Sequence, residues 1–261
     1  MSHTFWPLVA IAIGTLSGAS SGAFGIGGGV VSKPLLRLIM NIAPGAVIGS
    51  PIPAQLFGAS LGSISYFKRR MINFRLVWLA TPFAIAGTVL GAYLTSLLNL
   101  GYLMVLLVLV VLWAGARVIS KSFASAEHSQ EECRPLRIHS VSPAAFVAGL
   151  MAGLLGLGGG FVLVPAFNIL LKREIKECIA SSLVVVAATS IPNGIIHLYL
   201  GHIDWQLALS LLVGQMIGVW FGTAFTIRCS RRLVYFLLGL FLIAVSLTLA
   251  RLETLNIVSG G

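Results

Sequence analysis

Acidic side chains are scarce in this chain: seven Asp and Glu stand against 17 Lys and Arg, and charged residues make up only 9% of 261 positions. In a soluble globular domain about a quarter of residues are charged, so that class is excluded. Three of the acids fall in a polar stretch at 120–140, Glu174 and Glu177 sit at a charged edge, and Asp204 lies in a short loop. No carboxylate is left inside an apolar run, which argues against a proton relay through a buried Asp or Glu. Cysteine is rare as well. Cys133, Cys178 and Cys229 are far apart, without metal-ligand spacing or an evident partner, so no disulfide framework and no thiolate metal site is expected. No Lys or Arg precedes the first apolar run, which argues against a cleaved signal peptide. The formal charge of +10 is carried by short loops, without the stripe or folded basic unit that nucleic acid would require. Clustered His, Asp, Glu or Cys is also missing, so a membrane enzyme has no constellation to work with except Cys178 as a lone sulfur-handling thiol.

What the chain does have is length of apolar sequence. It is 57% hydrophobic with a mean hydropathy of +0.99, and a bilayer crossing needs about 20 mostly apolar residues. Six windows qualify, at 45–67, 76–98, 102–119, 177–200, 207–227 and 233–250. Two further regions, 6–40 and 142–171, are too long for one crossing, and a triple glycine interrupts each.

Those two regions belong to a duplication. GAFGIGGGVVSKP, Gly22 to Pro34, recurs as GLLGLGGGFVLVP, Gly153 to Pro165, 131 residues later and without a gap. The same offset pairs Gly18 with Gly149, Ser50 with Ser181, Gly87 with Gly218 and Gly91 with Gly222. Three segments result: a first transmembrane repeat at 1–119, a polar cytoplasmic linker at 120–140 and a second repeat at 141–261.

Charge sets the relative orientation of the copies, because Lys and Arg collect in cytoplasmic loops. The loop 68–75 carries Lys68, Arg69, Arg70 and Arg75, whereas its counterpart 201–206 has no Lys or Arg. At the next pair of loops the bias is exchanged: 99–101 has none and 228–232 has Arg228, Arg231 and Arg232. Matching loops with opposite bias belong on opposite faces, so each copy makes an odd number of crossings and each glycine-split region enters and returns. Counted this way, 14 Lys and Arg share one face and only Lys33, Arg37 and Arg251 lie on the other. The expected fold is an all-α integral membrane protein of two inverted-topology repeats. Each is a glycine-broken helical hairpin plus three transmembrane helices, with both termini outside the cytoplasmic membrane.

The glycines divide by spacing. Gly14, Gly18 and Gly22, like Gly87 with Gly91 and Gly218 with Gly222, recur every four residues and make flat faces for close helix packing. Gly27, Gly28 and Gly29, and Gly158, Gly159 and Gly160, are consecutive and break the helix, at about 1 kcal/mol per glycine. A half-helix starting at such a break presents free N–H groups and the positive end of its dipole, which suits an anion. Inverted copies bring two such ends together, so the six glycines form a candidate substrate cradle; a purely structural hairpin tip is the alternative. A dinucleotide fingerprint does not fit, since Val30 stands where GxGxxG requires glycine, and no cofactor is expected.

The duplicated GxxGxGGGxxxxP motif, intact at Gly22 to Pro34 and Gly153 to Pro165, resembles that of the TauE/SafE sulfite exporter family, and the resemblance covers essentially the whole chain. It implies transport of a small sulfur-containing or organic anion, such as sulfite or sulfoacetate, usually outward across the bacterial cytoplasmic membrane. Import of a related anion is the alternative.

Ser50, Ser181 and Ser182, in the next span of each copy, are candidates to complete the anion's shell, or else bond their own helix carbonyls. Ser20, Ser21, Gln55, Asn193 and Gln215 read as interhelical glue more than as ligands. His197 is expected at the membrane interface, and Lys33 either attracts anions or snorkels to the surface. The partners implied are a small anion and the lipid bilayer; nothing in the sequence sets the oligomeric state.

Overall fold

The computed structural model describes residues 6–95, apart from 41 and 43, and residues 138–258, with isolated positions at 112, 116 and 120. The crossing expected at 102–119 and most of the linker at 120–140 lie outside the described residues. Among the described residues all regular structure is helical. The first half holds α1 (Trp6–Phe24), α2 (Gly29–Leu35, followed by a π-helical turn at Leu36–Met40), α3 (Pro44–Gly49), α4 (Pro51–Phe67) and α5 (Phe74–Leu94). The second holds α6 (Ile138–Leu155), α7 (Gly160–Leu170), α8 (Ile175–Tyr199), α9 (Trp205–Arg228) and α10 (Arg231–Val258).

Helix is what an apolar chain of this kind must form in lipid, where each backbone group has to find its partner within the segment. Four helices, α1, α5, α8 and α9, are long and apolar enough to cross a membrane. Large apolar side chains point outward from them, among them Trp78, Tyr93, Leu209 and Trp220, as lipid-facing surfaces do.

Helix starts repeat at the 131-residue offset: Gly29 with Gly160 and Phe74 with Trp205. The cap chemistry repeats too. Asn73 Oδ1 accepts from the amide of Leu76 at 3.0 Å, and Asp204 Oδ1 accepts from the amides of Gln206 and Leu207 at 2.9 and 3.1 Å. Such an N-cap satisfies otherwise orphaned donors. One expectation needs correction. The window 45–67 is two helices, α3 and α4, separated at Ser50, because Pro51 and Pro53 have no amide to continue the ladder. The second copy has Ser182 where the first has Pro51, and α8 runs through unbroken.

Both glycine-split regions fold back. Ser17 Oγ donates to Gly28 O at 2.9 Å, and Leu36 and Met40 cluster with Ile13 and Ala10, so α2 returns along α1. Gly159 lies against Ala148 and Ala152, so α7 starts back along α6 in the same way.

The helix faces with small residues are the contacts between halves. Gly14, Gly18 and Gly22 of α1 meet Leu211, Gln215 and Val219 of α9, so these helices run parallel at close range. Gly87 and Gly91 of α5 meet Phe146 and Leu150 of α6, the counterpart pair. At the centre, Gln55 of α4 bonds Ser190 of α8, while Gly62 meets Leu183. The register therefore falls on one helix as it rises on the other, and α4 runs antiparallel to the part of α8 that duplicates it.

Candidate functional site

The two glycine turns touch. Gly27 lies beside Leu157 and Gly158, Gly29 beside Gly156 and Leu157, and Gly160 beside Gly25 and Ile26; all six candidate glycines are buried. The six are needed for two different reasons. Gly27, Gly158 and Gly159 have φ of +81°, +93° and +64°, where a side chain is strained. Gly28, Gly29 and Gly160 are needed for space: a Cβ on Gly28 would stand 2.5 Å from both Gln215 Nε2 and Ser17 Oγ, and one on Gly29 would stand 2.8 Å from Gly156 O. Gly22 lies against Val219 and Thr223, so α1 and its turn stop short of the end of α9 at Arg228.

A broken helix leaves orphan carbonyls on one side of the break and orphan amides on the other. Here the carbonyls have partners. At the end of α1, Tyr66 Oη donates to Gly22 O at 2.7 Å, Thr226 Oγ1 to Ala23 O at 2.7 Å and Ser182 Oγ to Gly25 O at 2.8 Å. At the end of α6, Asn193 Nδ2 donates to Ala152 O at 3.3 Å, Thr95 Oγ1 to Leu154 O at 3.2 Å, and Lys33 Nζ to Leu155 O. The amides differ. In the first turn, Val31 and Ser32 donate to Gly28 O, while the described residues give the amides of Gly28, Gly29 and Val30 no acceptor. The uncompensated groups at this crossing therefore include backbone N–H donors, those of Gly28, Gly29 and Val30 among them.

Two glutamines face the crossing. Gln215 Nε2 is buried against Gly28 and has no hydrogen-bond partner, and Gln55 Oε1, beside Gly29 and Gly158, has none either. Gln55 Nε2 donates to Ser190 Oγ at 3.3 Å, and Ser21 Oγ is a third buried group with no partner. The second turn shares Gln55, which lies against Gly158, but its own copy of the repeat supplies no equivalent polar lining. At the 131-residue offset, Ser17, Ser21, Gln55 and Gln215 correspond to Ala148, Ala152, Val186 and Ala84. The repeat is conformational; the polar chemistry is concentrated on the turn at Gly27 to Gly29.

Of the three serines expected at the site, only Ser182 reaches a glycine turn. Ser50 Oγ accepts the amide of Asp204 at 3.0 Å and Ser181 Oγ accepts that of Asn73 at 3.1 Å, so each steadies the N-cap residue of a long helix in the other half. Lys33 does not snorkel: it is buried and its ammonium closes the end of α6. His197, expected at an interface, is fully buried, with Nδ1 3.0 Å from Nδ1 of His202. Cys178 is buried in the main apolar core and approaches Arg173 O at 3.7 Å. No group of three or more His, Cys, Asp or Glu placed to hold a metal occurs among the described residues.

The sequence matches the family model described as sulfite exporter TauE/SafE over residues 10–249. It is 25% identical to the Bacillus subtilis "Probable membrane transporter protein YunE", over 91% of this chain and 95% of that one. It is 28% identical to a Xylella fastidiosa "Probable membrane transporter protein", over 92% and 93% of the two chains. No solved structure matches. With the family model spanning nearly all of the sequence and a helical, membrane-length fold beneath it, the chain belongs to the sulfite exporter TauE/SafE family.

Proposed function

We propose that this protein is a multi-pass transporter of the cytoplasmic membrane that exports small anions of the sulfite or sulfonate class. The anion binds where the two glycine turns cross, accepting hydrogen bonds from the amides of Gly28, Gly29 and Val30 and from Gln215 Nε2. The observation that carries this reading is the cluster of donors at the crossing: the amides of Gly28, Gly29 and Val30 and the side-chain amide of Gln215 are buried and have no acceptor among the described residues. A buried donor left without an acceptor costs about 1–3 kcal/mol, and an anion is the ligand that removes that cost. The second turn, at Gly158, Gly159 and Gly160, supports the first as a packing surface and closes the site from the other half.

In this reading the two repeats, 1–119 and 141–261, are inverted in the membrane and the segment 120–140 is cytoplasmic. The antiparallel run of α4 against its counterpart in α8 supports the inversion, as does the loop charge bias. Both termini then lie outside. The face with Arg70, Arg173 and Lys176 is cytoplasmic, and it opens into a cavity of about 490 Å³ lined by these residues, Asn73, Glu174 and Glu177. The counterpart cavity on the opposite face, lined by Trp6, Met40, Asp204 and Gln206, is about 180 Å³. A wider, cation-lined mouth on the cytoplasmic side suits the uptake of an anion for export. An inside-negative potential drives each negative charge outward with about 2.3 kcal/mol per 100 mV.

Radiolabelled sulfite and sulfoacetate flux in proteoliposomes at imposed potentials tests this. Efflux that rises with inside-negative potential and is lost in Gln215→Leu is expected; flux indifferent to potential contradicts the driving force, and inward flux favours an importer. Cys178→Ser is expected to transport normally, which removes the thiol-enzyme alternative.

A further inference from the structure

On the face opposite the cation-lined cavity, two histidines meet. His197, near the end of α8, is fully buried, and His202 lies half-buried in the loop that leads to α9. Their Nδ1 atoms are 3.0 Å apart, with ring centroids separated by 5.3 Å. His197 Nε2 is buried and faces the backbone of Gly153, its nearest acceptor, without forming a well-aligned hydrogen bond. The ring of His202 packs on Gly45, and its backbone on Gly49, so the contact ties α8, α3 and the loop before α9 together. The same loop is anchored through the Asp204 amide on Ser50. This is the side with the smaller cavity.

Proton counting makes the contact conditional. Two nitrogens 3.0 Å apart share one hydrogen: a neutral pair holds it as one Nδ1–H donating to the other's lone pair, and a single added proton leaves that bond intact. A second added proton puts N–H on both facing atoms, and the approach fails. The packed pair therefore holds one proton fewer than two separated imidazolium groups. The surroundings increase the difference. Lys33 from α2 is the basic side chain on the His197 side of the pair, α3 and α6 present glycine backbone, and the Asp204 carboxylate is engaged by the amides of Gln206 and Leu207. Among the described residues no carboxylate bonds either ring.

We propose that His197 and His202 form a proton-binding latch on this face: with at most one shared extra proton the loop at 200–204 is held against α3 and α8, and a further proton releases it. The sign follows from linkage, since acid favours the state that binds more protons. Opening of this face is then tied to proton uptake from the same side, independently of which anion is carried.

Hydrogen–deuterium exchange of the full chain in nanodiscs, corrected for intrinsic exchange, tests the latch between about pH 8 and pH 5, the range in which histidines change charge. In wild type, protection across 199–206 and α3 is expected to fall towards acid by up to about tenfold per pH unit, the slope of a one-proton difference. His202→Gln keeps a hydrogen-bonding side chain without titration and is expected to flatten that slope. His197→Gln is the second variant should the first fail to fold. A flat wild-type profile, protection that rises with acid, or an unchanged slope in a folded glutamine variant overturns the proposal. None of these outcomes depends on anion binding, so the latch and the transport reading stand or fall separately.

Discussion

Gln215 and Gly28 make the sharpest residue-scale case. The glutamine amide is buried against a glycine with no acceptor of its own, a costly arrangement unless something else uses the donor. Gln215→Leu removes the donor at similar volume. We expect folding to be retained and anion affinity to fall about 10- to 100-fold, the effect of one hydrogen bond to a charged group at about 1.5–3 kcal/mol; isothermal titration with sulfite reads it. Ser182→Ala should behave in the opposite way. It strands Gly25 O, which no other donor among the described residues reaches, and is expected to destabilise the fold by about 1–3 kcal/mol, measured as a lower midpoint of thermal unfolding. Sequence alone identified the glycine turns because three consecutive glycines have few other uses inside an apolar run. The position of Gln55 and Gln215 against the glycine turns is not legible in the sequence, because an amide in a spanning helix reads as glue until the turn it faces is placed next to it. Ser50 and Ser181 were recognisable as equivalents, but equivalence says nothing about what each one holds. Their partners, Asp204 and Asn73, lie in the other half.

At the scale of helices, the four-residue glycine spacing was legible, and the structure assigns it to the parallel pairs α1 with α9 and α5 with α6. A Cβ on Gly218 or Gly222 runs into the backbone of Thr15 or Ala19. Gly218→Val is therefore expected to force α1 away from α9 and to lower the unfolding midpoint sharply. Gly201→Ala, where an added methyl meets nothing within 4 Å, should cost only the strain of its φ of +68°, about 1–2 kcal/mol. The break at Ser50 was less legible. Hydropathy runs evenly through 45–67, and only the missing amides of Pro51 and Pro53 mark the point where the ladder is interrupted. Burial of Lys33 and His197 was illegible for a related reason: both lie near the ends of apolar stretches, and it is the partner half that covers them.

For the whole molecule, equivalent contacts recur at the 131-residue offset: Tyr66 on Gly22 is matched by His197 beside Gly153, and Thr226 on Ala23 by Thr95 on Leu154. The proposed inversion would place the loops at 68–73 and 200–204 on opposite faces of the membrane. A membrane-impermeant thiol reagent applied to intact cells should label Gly201→Cys and spare Arg69→Cys; equal labelling of both would mean parallel repeats. Divergence between the copies leaves Ser17, Ser21, Gln55 and Gln215 with alanine or valine at the equivalent positions of the other copy, and the proposed anion site rests on that asymmetry. The most direct test is crystallographic: anomalous density from selenite, a heavier relative of sulfite, in crystals of the full chain. The account predicts a selenium peak within hydrogen-bonding reach of the Gly28 and Gly29 amides and Gln215 Nε2. A peak only in the surface cavity beside Arg70 and Arg173, with the glycine crossing empty, would contradict it.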